Sequence, residues 1–280
     1  MNAPLKGTAV LTLAVNVPGP AAASRLREFG AAITKVEPPN GDPLAGHNPS
    51  WYEALATGQE VVTLDLKDPR GRGELSSLLA DSDLLLTSSR PAALARLGLS
   101  WAKLREEYPR LSQVAIVGHP APRENEPGHD LTYLAGYGLL TPPDLPRTLL
   151  ADLAGAERAV SAALGLVLGR ERGFGTGCVE VPLSEAAEFF AEPQRRGVTR
   201  PGDVLGGGLP GYNLYRSSDA WIAVAALEAH FLEKLLSELK LEKADKEKME
   251  KIFAEHPARW WEDWAADRDL PITSVGEPEG

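Results

Sequence analysis

Short apolar runs alternate with amphipathic segments through most of this 280-residue chain. The amphipathic segments have the period of helices, and the apolar runs have the length of buried strands. Strands are predicted at 8–15, 31–37, 61–66, 83–89, 113–118 and 178–183, and helices at 19–30, 69–82, 91–98, 100–107 and 184–192. Strands that alternate with helices predict an α/β fold with a doubly wound, mainly parallel, Rossmann-like sheet.

The later part of the chain has a different pattern. The stretch 152–170 is apolar on nearly every side and rich in Ala and Gly, which predicts a helix buried between other elements. Residues 192–211 are rich in Pro, Gly and charge, as linkers are. Two strands, "YNLYRS" and "WIAVAAL", then precede helices at 228–240, 245–255 and 258–267. We therefore predict a large domain over 1–195, a linker over 196–211 and a small α+β domain over 212–280.

Composition and charge limit the possible partners and compartment. The formal net charge of −10 disfavours nucleic acid as a partner. The single cysteine allows no internal disulfide, which favours a reducing cytoplasm. No stretch approaches the roughly 20 apolar residues of a membrane helix, and the N-terminus has the pattern of a first strand and not of a signal peptide. We expect a cytoplasmic protein that binds neither nucleic acid nor a membrane.

The first strand–helix–strand unit partly matches a dinucleotide-binding motif. Glu37 lies about 20 residues beyond Gly19, where an acidic residue would bind a ribose. The turn has only one glycine, however, and its prolines, Pro18 and Pro20, lack the amide donors that a pyrophosphate needs. A nicotinamide or flavin enzyme stays an alternative.

Three side chains are candidates for chemistry, and each also has a structural interpretation. His129 follows "EPG" and would be an exposed loop imidazole, with Asp130 capping the helix behind it. Asp152 stands where the long helix begins and would be its N-cap. Glu228 ends a strand and opens a helix, where the helix dipole favours a carboxylate. Cys178 opens an alternating apolar stretch and is interpreted as a small core residue.

Several separated motifs, in one order along essentially the whole chain, change this picture. They are "GPAAASRLREFGAAITKVEPPNGDPL", "VVTLDLKDPRGRGELSSLLADSDLLL", "SRPAALARLGLSWAKLREEYPRLSQVAIVG", "GHDLTYLA", "ADLAGA" and "GGLPGYNLYRSSDAWIAVAALEAHFLEKLL". With these segments the chain resembles the family III CoA transferases (CaiB/BaiF), and within them the α-methylacyl-CoA racemase branch. The resemblance implies an acyl-CoA thioester as substrate, no metal or further cofactor, and the interlocked dimer typical of the family.

The resemblance also implies roles for individual residues. His129 and Asp152 fall on the two acid–base residues of the racemases, and Glu228 falls on the glutamate that partners the histidine. The residues that fall on CoA-contacting positions are Arg90, Leu64, Asp65, Leu66 and Lys67. Epimerising the carbon beside a thioester needs one group to remove a proton and another to return one on the opposite face. Backbone amides at the start of helix 152–170 would stabilise the enolate oxygen.

Departures from the family pattern keep other functions open. Thr57 and Gln59 stand where the family has basic residues, and His119 replaces an aromatic residue. The resemblance ends at "PITSVGEPEG", where the family continues, so closure of the dimer is expected to be reduced or supplied by a partner chain. The expected function is racemisation or epimerisation of a 2-substituted (2-methyl) acyl-CoA by a homodimer. The alternatives are a CoA transferase with Asp152 as nucleophile, or a non-catalytic CoA-binding subunit of a heteromer with a longer family member.

Overall fold

The computed structural model describes residues 3–276, and the chain divides into two compact units between Ala191 and Glu192. This division lies inside a helix and shortly before the predicted domain boundary at residue 195. The predicted linker, 196–211, therefore belongs to the C-terminal unit. Among residues 3–276 we find no helix with the length and apolar content that crossing a bilayer requires.

The N-terminal unit alternates strands and helices. Its strands are β1 (Ala9–Thr12), β2 (Ala32–Glu37), β3 (Glu60–Thr63), β4 (Leu84–Thr87), β5 (Ser112–Val117) and β6 (Cys178–Pro182). Its helices are α1 (Pro18–Glu28), α2 (Pro43–His47), α3 (Pro49–Ala56), α4 (Pro69–Ala80), α5 (Pro91–Arg96), α6 (Trp101–Glu107), α7 (Asp130–Gly136), α8 (Leu150–Glu171) and α9 (Leu183–Arg195). The strands form one parallel sheet in the order β3-β2-β1-β4-β5-β6, which confirms the predicted doubly wound Rossmann-like topology.

Each face of this sheet buries its own apolar cluster, because successive strand side chains point to opposite sides. On β1, Val10 packs toward α1, α7 and α8, whereas Leu11 packs toward α4, α5 and α6. On β4, Leu84 and Leu86 belong to the first cluster and Leu85 to the second. Coverage of both faces explains why the central strands β4 and β5 were recognisable as continuous apolar runs.

Helix α8 buries one stripe of small side chains and not its whole surface. Its buried residues are Ala151, Gly155, Ala156, Ala159, Val160 and Ala163. The opposite side includes the exposed Leu153 and Leu168, so the helix predicted to be buried between other elements is buried along one stripe only in the single chain. The small residues allow close approach. A Cβ on Gly155 would lie 2.2 Å from Cδ2 of Leu183, the first residue of α9.

The C-terminal unit packs three helices against a small antiparallel sheet. Its strands are β7 (Tyr212–Arg216), β8 (Trp221–Ala225) and β9 (Ile272–Ser274), and its helices are α10 (Ala229–Glu238), α11 (Lys246–Phe253) and α12 (Ala258–Ala266). Tyr215 and Trp261 are central to its core, and both satisfy their polar atoms. The Tyr215 hydroxyl donates to Pro210 O at 2.7 Å, and Trp261 Nε1 donates to Phe253 O at 2.8 Å. This unit has the predicted α+β composition.

Candidate active site

A cavity of about 220 Å³ lies at the carboxyl ends of the central strands of the N-terminal unit. Its wall contains Asn16, which follows β1, and Arg90, which follows β4. Strands β1 and β4 are the neighbours at which the strand order reverses, which is where open parallel sheets bind ligands. His129 and Asp152 also line this cavity, so the fold brings together three of the residues that the sequence analysis selected.

His129 stands at the N-cap position of α7, with an exposed side chain. Thr132, in the first turn of α7, satisfies the backbone groups at the start of this helix. Its Oγ1 accepts from His129 N at 3.0 Å and donates to His129 O at 2.7 Å. These bonds satisfy the backbone of His129 locally, and the imidazole is left at the cavity wall. His129 can therefore be both the N-cap residue of α7 and part of the cavity wall.

Asp152 lies in the first turn of α8 and lines the same cavity, and it is not the N-cap that was predicted. The N-cap residue is Leu149, whose side chain cannot accept a hydrogen bond. The cap comes instead from Asp130, whose buried Oδ1 accepts from Ala151 N at 2.7 Å and from Asp152 N at 3.0 Å. Asp130 was predicted to cap its own helix, α7, and that prediction is also wrong.

The surroundings of Asp152 favour its protonated form. Burial, and secondly the negative charge of Asp130, raise the pKa of Asp152 from its ordinary value of 3.8 to about 7. Tyr133 lines the same cavity, and burial, then the charge of Asp152, raise its pKa to about 12. At neutral pH the cavity therefore holds a carboxyl group with both protonation states populated and a neutral phenol.

The capping by Asp130 limits which amides at the start of α8 could stabilise an enolate oxygen. The amides of Ala151 and Asp152 are already engaged, and Leu153 N donates to Leu149 O at 3.0 Å. The first turn of α8 thus cannot offer these three donors to a substrate oxygen. Side-chain donors that do line the cavity include the amide of Asn16, the hydroxyls of Ser88 and Tyr133, and the guanidinium of Arg90.

The predicted CoA segment lines a second cleft of about 490 Å³ at the same edge of the sheet. The segment Leu64–Lys67 follows β3, and Val15 contributes to the walls of both cavities, so the two adjoin. Helix α4 approaches the segment closely: a Cβ on Gly71 would lie 2.3 Å from Asp65 O. Arg90, assigned to the same ligand, lines the first cavity and not the second. Whether these residues bind CoA stays a prediction.

Glu228 belongs to the C-terminal unit, where it is the N-cap residue of α10 and is exposed. This agrees with the predicted position between a strand and a helix. Its predicted pairing with His129 stays a prediction.

A buried charge cluster beside the site was not recognised in the sequence. Lys35 Nζ lies 2.7 Å from Glu37 Oε1 and 2.7 Å from Asp42 Oδ2, and its side chain is 1% exposed. Asp42 Oδ1 accepts from Asn16 N at 2.9 Å and so fixes the loop after β1. Tyr52 donates to Glu37 Oε1 at 2.8 Å. Glu37 Oε1 is thus engaged by Lys35 and Tyr52, although Glu37 also lines the second cleft.

These features define an α/β protein with an acid–base cavity at the switch point of its sheet. Residues 5–280 match the family model described as CoA-transferase family III, and the chain belongs to this family.

Two relatives and one solved structure show the range of that similarity. The chain is 30% identical to human alpha-methylacyl-CoA racemase over 97% of its own length and 77% of the relative. It is 30% identical to the succinyl-CoA–L-malate CoA-transferase beta subunit of Chloroflexus aurantiacus, over 76% of its own length and 54% of the relative. A crystal structure of the Mycobacterium tuberculosis protein Rv3272 has the same fold, with a TM-score of 0.86, 23% identity, and coverage of 99% of this chain and 87% of that one.

Proposed function

We propose that this chain is a racemase or epimerase of 2-methyl or other 2-substituted acyl-CoA thioesters, acting by two-base exchange of the α-proton. The observation that carries the proposal is the presence of His129 and Asp152 in the wall of one cavity. In one direction, one of these groups takes the α-proton and the thioester becomes an enolate. The other group then donates a proton to the opposite face of the same carbon.

The environment of Asp152 suits this chemistry. A group that must act as a base for one enantiomer and as an acid for the other needs both protonation states at the working pH. The pKa of Asp152, raised to about 7 by burial and by Asp130, supplies both states near neutrality. The exchange needs no cofactor, since the thioester itself acidifies the α-proton.

The adjoining cleft supports the assignment of CoA to this edge of the sheet. Its walls include Leu64–Lys67, and the cavity beside it includes Arg90. The protein has a net charge of −10, so binding of the phosphate groups depends on local cations such as Arg90 and Lys67. We propose a homodimer as the working assembly.

A CoA transferase is the second candidate, because the chain is as similar to a CoA-transferase subunit as to a racemase. Asp152 would then attack the thioester carbonyl, displace the CoA thiolate and form an acyl anhydride. The similarity to a subunit also supports the third candidate, a CoA-binding subunit of a heteromer.

The deciding experiment is exchange of the α-proton in deuterated water. Wild-type protein incubated with a 2-methylacyl-CoA should incorporate deuterium at the α-carbon, and His129→Ala should lose the exchange because one of the two bases is missing. Hydroxylamine with acyl-CoA should leave Asp152 unmodified, because a racemase forms no acyl anhydride.

Two other outcomes assign the alternatives. A hydroxylamine adduct on Asp152, together with activity that survives in His129→Ala, makes this protein a transferase. CoA binding with neither exchange nor adduct makes it a non-catalytic subunit, and adding a longer family member would then restore activity.

A further inference from the structure

One buried carboxylate connects α7 to the start of α8, the two elements that carry His129 and Asp152. Asp130 directly follows His129 in the chain, and its side chain is buried. Its Oδ1 accepts hydrogen bonds from Ala151 N at 2.7 Å and Asp152 N at 3.0 Å. Asp130 therefore connects the two candidate residues: it follows His129 in the chain, and its side chain is hydrogen-bonded to the backbone of Asp152.

These bonds differ from an ordinary helix cap. A cap normally comes from the residue that precedes the helix, whereas Asp130 lies more than 20 residues before Asp152 and belongs to another helix. Helix α7 does not need the Asp130 carboxylate for its own start, because Thr132 closes it. The carboxylate is thus free to tie α7 to α8, whose N-cap residue, Leu149, offers no acceptor of its own.

We propose that Asp130 is a positioning residue, which holds His129 and Asp152 at a fixed separation across the cavity and keeps a negative charge beside Asp152. The proposal rests on the proposed function, because the separation matters only if both groups act on one carbon. Misplacement of a reacting group by about 1 Å costs on the order of 100-fold in rate. Two charge-assisted hydrogen bonds to adjacent amides restrict such movement.

The same carboxylate acts on Asp152 electrostatically. Its charge is the second cause, after burial, of the raised pKa of Asp152. The other titratable groups in the wall of this cavity are Arg90, Glu126, His129 and Tyr133. A substitution of Asp130 that keeps its acceptor oxygen preserves the hydrogen bonds to α8, so a change in the titration of Asp152 in that variant can be assigned to the charge of Asp130.

Two substitutions separate the geometric effect from the electrostatic one. Asp130→Asn keeps an oxygen that can accept from both amides but removes the charge, whereas Asp130→Ala removes both. We expect Asp130→Ala to lower kcat for α-proton exchange by about 10- to 100-fold, with KM for acyl-CoA changed less than about twofold. Asp130→Asn should recover most of that loss. Because removal of the negative charge favours ionisation of Asp152, Asp130→Asn should also move the Asp152-dependent limb of the pH profile to lower pH.

A measurement independent of turnover keeps this inference distinct from the proposed function. The carboxyl carbon of Asp152 can be titrated by ¹³C NMR in protein labelled at aspartate, with Asp152→Asn used to assign the signal. The titration midpoint of Asp152 should fall in Asp130→Asn even if the protein catalyses no exchange. Glu171→Gln, at the last residue of α8, is the matched control and should change neither the midpoint nor the rate.

Failure of the two proposals gives different results. No exchange by wild-type protein contradicts the proposed function alone. An unchanged Asp152 midpoint in Asp130→Asn contradicts the electrostatic part of the inference, and an unchanged kcat in Asp130→Ala contradicts the positioning part. If Asp130→Ala does not fold, a kcat in Asp130→Asn that is reduced as far as in Asp152→Asn also overturns the positioning role, because the retained acceptor should have preserved it.

Discussion

Asp152 should destabilise the folded protein once it ionises, so Asp152→Asn should be more stable than wild type at neutral and higher pH. The substitution keeps the size of the side chain and removes its charge. The folded-state pKa of Asp152 is raised from 3.8 to about 7, chiefly by burial. Below pH 4 the carboxyl is protonated in the folded and the unfolded chain alike, and the two proteins should differ least there.

The size of the effect follows from the difference in proton affinity. As pH rises from about 4 to about 7, the unfolded chain loses this proton while the folded chain retains it, so wild-type stability falls. Each unit of pKa difference corresponds to 1.36 kcal/mol, which gives an upper limit of about 4 kcal/mol. Asp152 is only partly buried, and solvent screening reduces the expected difference to about 2 kcal/mol. Above the folded-state pKa the difference should stay constant.

The assay is denaturant unfolding of both proteins between pH 4 and pH 8.5, at fixed protein concentration so that any assembly contributes equally. Hydrogen exchange of the β1 and β5 amides measures the stability of the N-terminal unit separately from that of the C-terminal unit. Asp144→Asn, which changes an exposed carboxylate of the same unit, is the control and should show no such rise with pH. A stability difference between Asp152→Asn and wild type that is flat across this range would refute the assigned burial of the charge.

Three further predictions concern the rest of the N-terminal unit. Arg90→Ala should weaken CoA binding by about five- to thirtyfold, or about 1–2 kcal/mol, and reduce its salt dependence in calorimetric titrations; equal affinities would remove Arg90 from the site. Lys35→Met should lower the free energy of unfolding by about 3–5 kcal/mol, because it leaves two buried carboxylates without their cation. The control Lys103→Met, at an exposed ion pair, should lower it by under about 0.5 kcal/mol. Similar losses in the two variants would contradict the role of Lys35 in the buried cluster. Gly155→Val should cost about 1–3 kcal/mol in the same assay by pressing on Leu183, and a neutral result would mean that α8 moves freely there.

The main sheet was predictable because its signals are local. Strands buried on both faces form continuous apolar runs, and the helices between them are amphipathic, so the order of elements follows from the sequence. Helices α2 and α3 were missed although their starts were marked. Asp42 and Asn48 are each followed by Pro, and both side chains accept from a backbone amide of the first turn. Strand β9 has three residues and exists through its pairing with β8, which no local pattern records.

The candidate site was predictable only as a set of residue types. His129 and Asp152 were selected through family resemblance, and the fold places them in one cavity. The contact from Asp130 to α8 joins elements that are distant in the chain, and the local pattern favoured a cap on α7 instead. The buried ion pairs of Lys35 were not predictable for a related reason. Its partner Asp42 lies beyond a turn, and a lysine within a strand ordinarily indicates an exposed position.

The start of α8 is suited to both chemistries of this family. A nucleophile must be ionised, whereas a group that exchanges protons with both enantiomers must populate both states. Burial and Asp130 raise the pKa of Asp152 to about 7, so both protonation states are populated near neutral pH and neither role is forbidden. The group that separates the two reactions is therefore the second base. Under the proposed function that base is His129, and the next residue, Asp130, accepts from the amides that begin α8.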